Sequence, residues 1–234
     1  MWVGILVIAV LILDQGLKFW VKTHMSIGME LDPFGLGWLK IHFVENNGMA
    51  FGLQFGGSYG KLVLSLFRLL AIAFLGYYVF ALLKQRAGWG VLTSFALILA
   101  GAIGNILDSA FYGLLFSESG FHRIARFLPE EGGYAGFLHG KVVDMLHMPV
   151  WKGYLPEGLP IWGGTYLDLF KPVFNLADVS ISVGVLSILL FQRSFFTAGE
   201  TQAREQAETP GYSTQLAPEQ IPLRDEPQSS SERN

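Results

Sequence analysis

Three aspartates, Asp108, Asp144 and Asp178, stand in or beside apolar stretches of this chain. Two carboxylates held close together cannot both ionise cheaply. They share a proton, so one serves as general base on a water while the other serves as acid. That chemistry hydrolyses a peptide bond with neither a metal nor a side-chain nucleophile. Asn105 precedes Asp108 by three residues, and Asn175 precedes Asp178 by three. At that spacing on a helix each amide sits beside its carboxylate, to donate a hydrogen bond or hold a substrate backbone. Asp14 and Lys18 are four apart and pair on one helix face. The bland reading makes the aspartates structural partners of Lys18 and Arg68. Spacing alone does not choose the reacting pair from the three.

Other chemistries fit worse. The chain has no cysteine, which excludes disulfides, thiolate metal sites and a thiol nucleophile. His24, His42, His122, His139 and His147 lack the spacing of a helical zinc motif and are expected on loop surfaces. No metal and no cofactor is expected. The stretch ending in Gly60-Lys61 fails the phosphate-loop pattern, with Phe55 at the first glycine position and Leu62 where Ser or Thr is required. No G-x-G-D signature occurs, and a Ser58/Lys61 dyad is a minor alternative.

The elements that must position these residues are apolar. Charged residues make up 15% of the chain, against about 25% in soluble domains. Nineteen Phe and six Trp suit lipid-facing and interfacial surface. The net charge of −3, with no Lys/Arg cluster, excludes nucleic acid as a partner. A membrane span needs about 20 mostly apolar residues. Residues 1–21, 62–83, 89–107 and 173–191 qualify, so the expected fold is all-α, with four transmembrane helices. Residues 1–196 form the membrane domain, with long loops at 23–60 and 110–171. Leu39, Ile41 and Phe43 alternate with Lys40 and His42, which predicts a strand in a small extracytoplasmic β region between helices 1 and 2. Asn47-Gly48 then predicts a turn. The second loop exceeds what is needed to carry Asp144 to the bundle. Its Trp151, Tyr154, Trp162 and Tyr166 suit headgroup contact. Residues 197–234 are polar and predict a disordered tail.

Successive spans run in opposite directions. Asp14 and Lys18, Arg68, Asn105 and Asp108, and Asn175 and Asp178 therefore gather at one mouth of the bundle. Both long loops lie there too and bring Asn46 and Asp144. A charge at membrane depth costs a few kcal/mol and usually faces a partner or a wet cavity. Lys84 and Arg86 in the short turn at 84–88, and Arg193 after helix 4, mark the cytoplasmic side. Lys18 and Lys22 argue the other way. The balance puts the polar mouth outside and the C-terminal tail in the cytoplasm. The competing class is a small ion- or proton-coupled transporter.

Five boxes give a family. Asp14-Gln15-Gly16-Leu17-Lys18 resembles the D-Q-x-x-K box of bacterial lipoprotein signal peptidases. Asn46-Asn47-Gly48-Met49-Ala50-Phe51 resembles N-x-G-x-A-F. Gly101 to Asp108 resembles G-x-x-G-N-x-x-D, Gly140 to Met145 resembles G-x-V-x-D-[FM], and Phe174-Asn175-Leu176-Ala177-Asp178 resembles F-N-x-A-D. The resemblance implies a catalytic pair at Asp144 and Asp178, with Asn105 and Asn175 flanking it. It implies that Asn46 and Gly48 belong to a substrate-holding loop. Asp14, Lys18, Arg68, Asp108 and Ala177 support the site. It also implies the partner: a prolipoprotein carrying a diacylglyceryl-cysteine, cut just before that cysteine, by a monomeric enzyme among the lipids of the bacterial inner membrane. One departure stands out. Ser109 follows Asp108 where the family usually has Arg, and Arg123 or Arg126 are candidates to supply that charge.

Overall fold

The computed structural model describes residues 1–47, 57–149, 151–158, 160, 163–169 and 172–191. The helices are α1 (Trp2–His24), α2 (Gly57–Lys84), α3 (Trp89–Leu107), a short α4 (Gly113–Leu115) and α5 (Leu176–Phe191). A π-helical turn, Asp108–Tyr112, joins α3 to α4. By length and composition, Trp2–His24, Gly60–Lys84 and Trp89–Leu115 are apolar enough to cross a membrane, and α5 is a shorter apolar helix. The helix expected to stop at residue 107 thus runs on to 115. Its π turn re-aims the side chains at a polar junction, where such turns recur. The turn between α2 and α3 closes as expected. Arg86 takes a left-handed conformation, φ 52°, while Ala87 N donates to Leu82 O and Arg86 N to Leu83 O, a Schellman arrangement.

The strands are β1 (Glu30–Leu31), β2 (Lys40–Asn46), β3 (Val142–His147), β4 (Trp151–Tyr154), β5 (Tyr166–Leu169) and β6 (Val173–Phe174). An antiparallel sheet runs β1-β2-β3-β6, and β4 and β5 form a separate pair. Only two strands of the larger sheet come from the α1–α2 connection. The other two come from the connection before α5, so the sheet ties both long loops together. Phe43 is buried on β2 as its alternation predicts, although the register shifts between Ile41 and Val44. Val173 and Phe174 leave the expected fourth helix because their backbone pairs with His147 and Leu146. Val143 and Met145 of β3 pack with Val21, Met25, Phe43, Tyr112 and Phe116 in one core.

Helix α3 packs against α1, α2 and α5. Small residues permit the approach, as is usual where apolar helices cannot rely on a hydrophobic drive between them. A Cβ on Gly104 would lie 2.8 Å from Asp14 Oδ2 and 3.1 Å from Ala177 Cβ. Gly140 lies directly on the π turn. Its N donates to Ser109 O at 2.8 Å, and a Cβ there would run into the Asp108 carbonyl. The chain separates into Met1–Arg193 and Ser194–Asn234. The expected tail at 197–234 lies outside the described residues, as do Gly48 and Trp162.

Candidate active site

The site starts with one lysine and two carboxylates. Lys18 Nζ lies 2.9 Å from Asp14 Oδ2 and 2.9 Å from Asp108 Oδ2, and all three side chains are buried. Gln15 Nε2 donates to Asp14 Oδ2 at 3.1 Å, to Asp108 Oδ1 at 2.9 Å and to Gly104 O at 3.1 Å. Buried ions cost several kcal/mol each unless paired and hydrogen-bonded, and these are both. The carboxylates also hold backbone. Asp14 Oδ1 accepts from Ala177 N at 2.9 Å, and Asp108 Oδ2 accepts from Val143 N at 3.2 Å. The start of α5 and the middle of β3 are thereby fixed to α1 and the π turn.

Two asparagines carry the network onward. Asn105 Oδ1 accepts from Lys18 Nζ at 3.2 Å and from Asn175 Nδ2 at 3.0 Å. Asn105 Nδ2 donates to Asp178 Oδ1 at 2.8 Å, and Asn175 Nδ2 donates to Asp144 Oδ1 at 2.8 Å. The side-chain amides therefore reach across the bundle instead of serving the carboxylate three residues on. Helix capping explains this for Asn175. Asp178 N donates to Asn175 Oδ1 at 2.9 Å and Asn175 N donates to Asp178 Oδ2 at 3.4 Å. That reciprocal capping box uses the amide oxygen and frees its nitrogen for β3.

Asp144 and Asp178 sit in unlike surroundings. Asp144 is buried on β3 and Asp178 is half-buried in the first turn of α5. Burial, then the nearby Asp178 charge, push the Asp144 carboxyl up to about 7, against hydrogen bonds from Asn175 and Asn46. Among the described residues neither aspartate forms a salt bridge. Arg68 acts at longer range, with its charge facing Asp178, Asp144 and Asp108. Arg123 and Arg126, the sequence candidates for the missing arginine, are exposed and paired with Glu118 and Glu131 at 3.6 and 3.8 Å. Arg68, and not Arg123 or Arg126, is the guanidinium whose charge acts on these aspartates.

A second buried cluster escaped sequence reasoning. Lys22 is fully buried in an ion pair with Glu45 and donates to Ser119 Oγ at 3.0 Å. Lys141 approaches Glu45 Oε2 at 3.4 Å. The signal was present, since Lys22 extends the Asp14–Lys18 stripe by another four residues. The histidine expectation needs correction at three positions: His24 ends α1, His42 is half-buried on β2, and His147 is buried on β3. His147 faces Glu30 at 3.5 Å, and the His42 ring lies 5.7 Å away. Among the described residues no cluster of three or more His, Asp or Glu has metal-holding geometry.

The profile described as signal peptidase (SPase) II matches residues 6–195. This chain belongs to the signal peptidase II family. A lipoprotein signal peptidase of Porphyromonas gingivalis is 45% identical over 191 residues, covering 80% of this chain and 81% of the relative. One from Amoebophilus asiaticus is 39% identical over 194 residues, covering 82% of this chain and 77% of the relative. A solved bacterial membrane enzyme superposes with a TM-score of 0.49 at 20% identity, over 91% of this chain and 94% of that chain. Signal peptidase II enzymes are aspartic peptidases, so the chain is a membrane hydrolase of that class. The family match disfavours the transporter alternative.

Proposed function

We propose that this chain removes signal peptides from prolipoproteins, with Asp144 and Asp178 as its catalytic pair. The observation that carries the assignment is the contrast among carboxylates. Asp14 and Asp108 are both ion-paired with Lys18. Among the described residues Asp144 and Asp178 form no salt bridge; amides hold them, and the charges of Arg68 and of each other act at longer range. A pair in which one carboxyl keeps its proton near neutral pH suits acid–base work on water. Asp178 takes a proton from the water that attacks the scissile carbonyl, and Asp144 donates its proton to the carbonyl oxygen. The tetrahedral intermediate then collapses as a proton passes to the leaving nitrogen. Asn105 and Asn175 orient the two carboxylates, and Asn46, at the end of β2, adds a hydrogen bond to Asp144.

In this reading α5 is the fourth span, and the polar mouth with its sheet faces outward. Residues 1–196 form the catalytic domain, 197–234 are a cytoplasmic tail, and the enzyme acts as a monomer among inner-membrane lipids. The short basic turn at 84–88 supports that sidedness. The substrate carries a diacylglyceryl-cysteine, and the cut falls just before it. Purified protein in liposomes should cleave a diacylglyceryl peptide at that bond and leave its unlipidated twin intact. Equal cleavage of both would refute the lipid requirement.

A further inference from the structure

Residues 116–128 make a loop that no part of the catalytic reading uses. Its two arms are tied at the base, where Ser117 N donates to Arg126 O at 2.9 Å and Leu128 N donates to Leu115 O at 2.7 Å. Its tip is closed by the Gly120/Arg123 pairing, and Ile27 N donates to Gly120 O at 3.0 Å. A loop fastened this firmly would be expected to turn polar side chains outward. Instead Phe121 is 73% exposed and Leu128 63% exposed, with Ile124, Phe127 and Phe137 exposed as well. Leu128 holds a left-handed backbone at φ 48°, a conformation that costs energy for a non-glycine residue. Soluble surfaces seldom gather so many large apolar groups without a partner.

Ring contacts show what adjoins them. Phe127 packs on Phe19 of α1 at 5.2 Å, and Phe137 packs on Phe111 of the π turn at 5.9 Å. Phe19 and Phe111 are themselves exposed near the ends of the apolar helices. Exposed rings of the apolar helices are therefore in contact with exposed rings of the loop and of Phe137. Arg123 and Arg126 alternate with its apolar residues, at 64% and 74% exposure. Arg123 Nε also donates to Glu118 O at 3.0 Å, but the ion pairs of both arginines with Glu118 and Glu131 are long and solvent-exposed and leave their outer N–H groups weakly engaged. A long cationic side chain beside an apolar face can reach up to phosphates while the face sits among acyl chains.

We propose that residues 116–128, with Phe137, form an interfacial anchor. Its aromatic and leucine side chains enter the outer part of the lipid bilayer, with Arg123 and Arg126 at the level of the lipid phosphates. The anchor is independent of substrate, and through Leu115 and the π turn it fixes the height of Asp108 and β3 relative to the lipid surface. This rests on the reading that α1 and α3 span the membrane.

The natural absence of cysteine allows single nitroxide labels. Full-length Leu128→Cys, Phe121→Cys, Glu131→Cys and Ile12→Cys proteins are spin-labelled and placed in phosphatidylcholine–phosphatidylglycerol liposomes without substrate. Collision with oxygen and with a water-soluble nickel chelate is then read for each label. All four positions are exposed, so the labels leave the fold intact, which residual peptidase activity checks. Labels at 128 and 121 should favour oxygen over nickel at least about threefold relative to the label at 131. An aqueous signal at 128 and 121, with a lipid signal at 12, overturns the anchor and leaves the spans standing. Oxygen preference at 128 that arises only on adding a lipidated peptide assigns the loop to the substrate and also overturns it. An aqueous signal at 12 removes the spanning reading and the anchor together.

Discussion

The molecule holds two pairs of aspartates a few side chains apart, and their partners divide them. Asp14 and Asp108 share the Lys18 ammonium and each also accepts from a backbone N–H, of α5 and β3 respectively. Asp144 and Asp178 receive neutral amides instead. The first pair is a clamp in which a shared ammonium offsets part of the charge and geometry is fixed. In the second, no ammonium is in direct contact and Asp144 holds its proton more tightly. Residue type is the same in both, and the direct contact with the lysine is what separates them. Asn105 is the hinge between them, accepting from Lys18 and donating to Asp178.

The sharpest way to break this comparison is to remove the lysine. Lys18→Met leaves two buried carboxylates without a counter-ion, a loss of about 3–5 kcal/mol when a buried pair is broken. Folded yield in detergent and thermal unfolding should both collapse. A variant as stable as wild type would show that the clamp carries no structural charge balance. A smaller effect should follow from Asn105→Ala, which removes the donor to Asp178 and the acceptor for Lys18 and Asn175. Leaving such groups unsatisfied costs about 1–3 kcal/mol. In the proposed mechanism Asn105 orients a carboxylate, so kcat should fall with KM little changed. A rise in KM alone would move Asn105 from orienting the pair to holding substrate.

Much of this was legible in the chain. Apolar length marked α1, α2 and α3, and the alternation around Phe43 marked β2. The polar residues of four helices converge on one level because antiparallel spans leave them little choice. The start of α5 was less legible. Val173 and Phe174 continue its apolar run, and only their pairing with β3, distant in sequence, withholds them. Strand β3 itself is buried on both faces, so Val142 to His147 show no alternation to read. The crossing of the amides depends on Asn175 being a helix cap, which spacing alone does not reveal. The Lys22–Glu45–Lys141 cluster joins three segments, and only the Lys22 end left a local trace.

The central claim is that Asp144 and Asp178 react while the Lys18 clamp only holds. Purified Asp144→Asn and Asp178→Asn should be assayed on the diacylglyceryl peptide from about pH 5 to 9, with unfolding followed in parallel. Each variant should lose at least about a hundredfold in turnover, as expected when an acid or a base is removed, while remaining folded. Wild-type activity should decline as pH rises through about 7, where Asp144 gives up its proton. The folded enzyme keeps that proton between the ordinary 3.8 and about 7, whereas the unfolded chain has already lost it. Wild-type stability therefore falls with rising pH across that window. Asp144→Asn, which never ionises, should gain in Tm relative to wild type over the same range. Near-normal turnover in either folded variant would contradict the account.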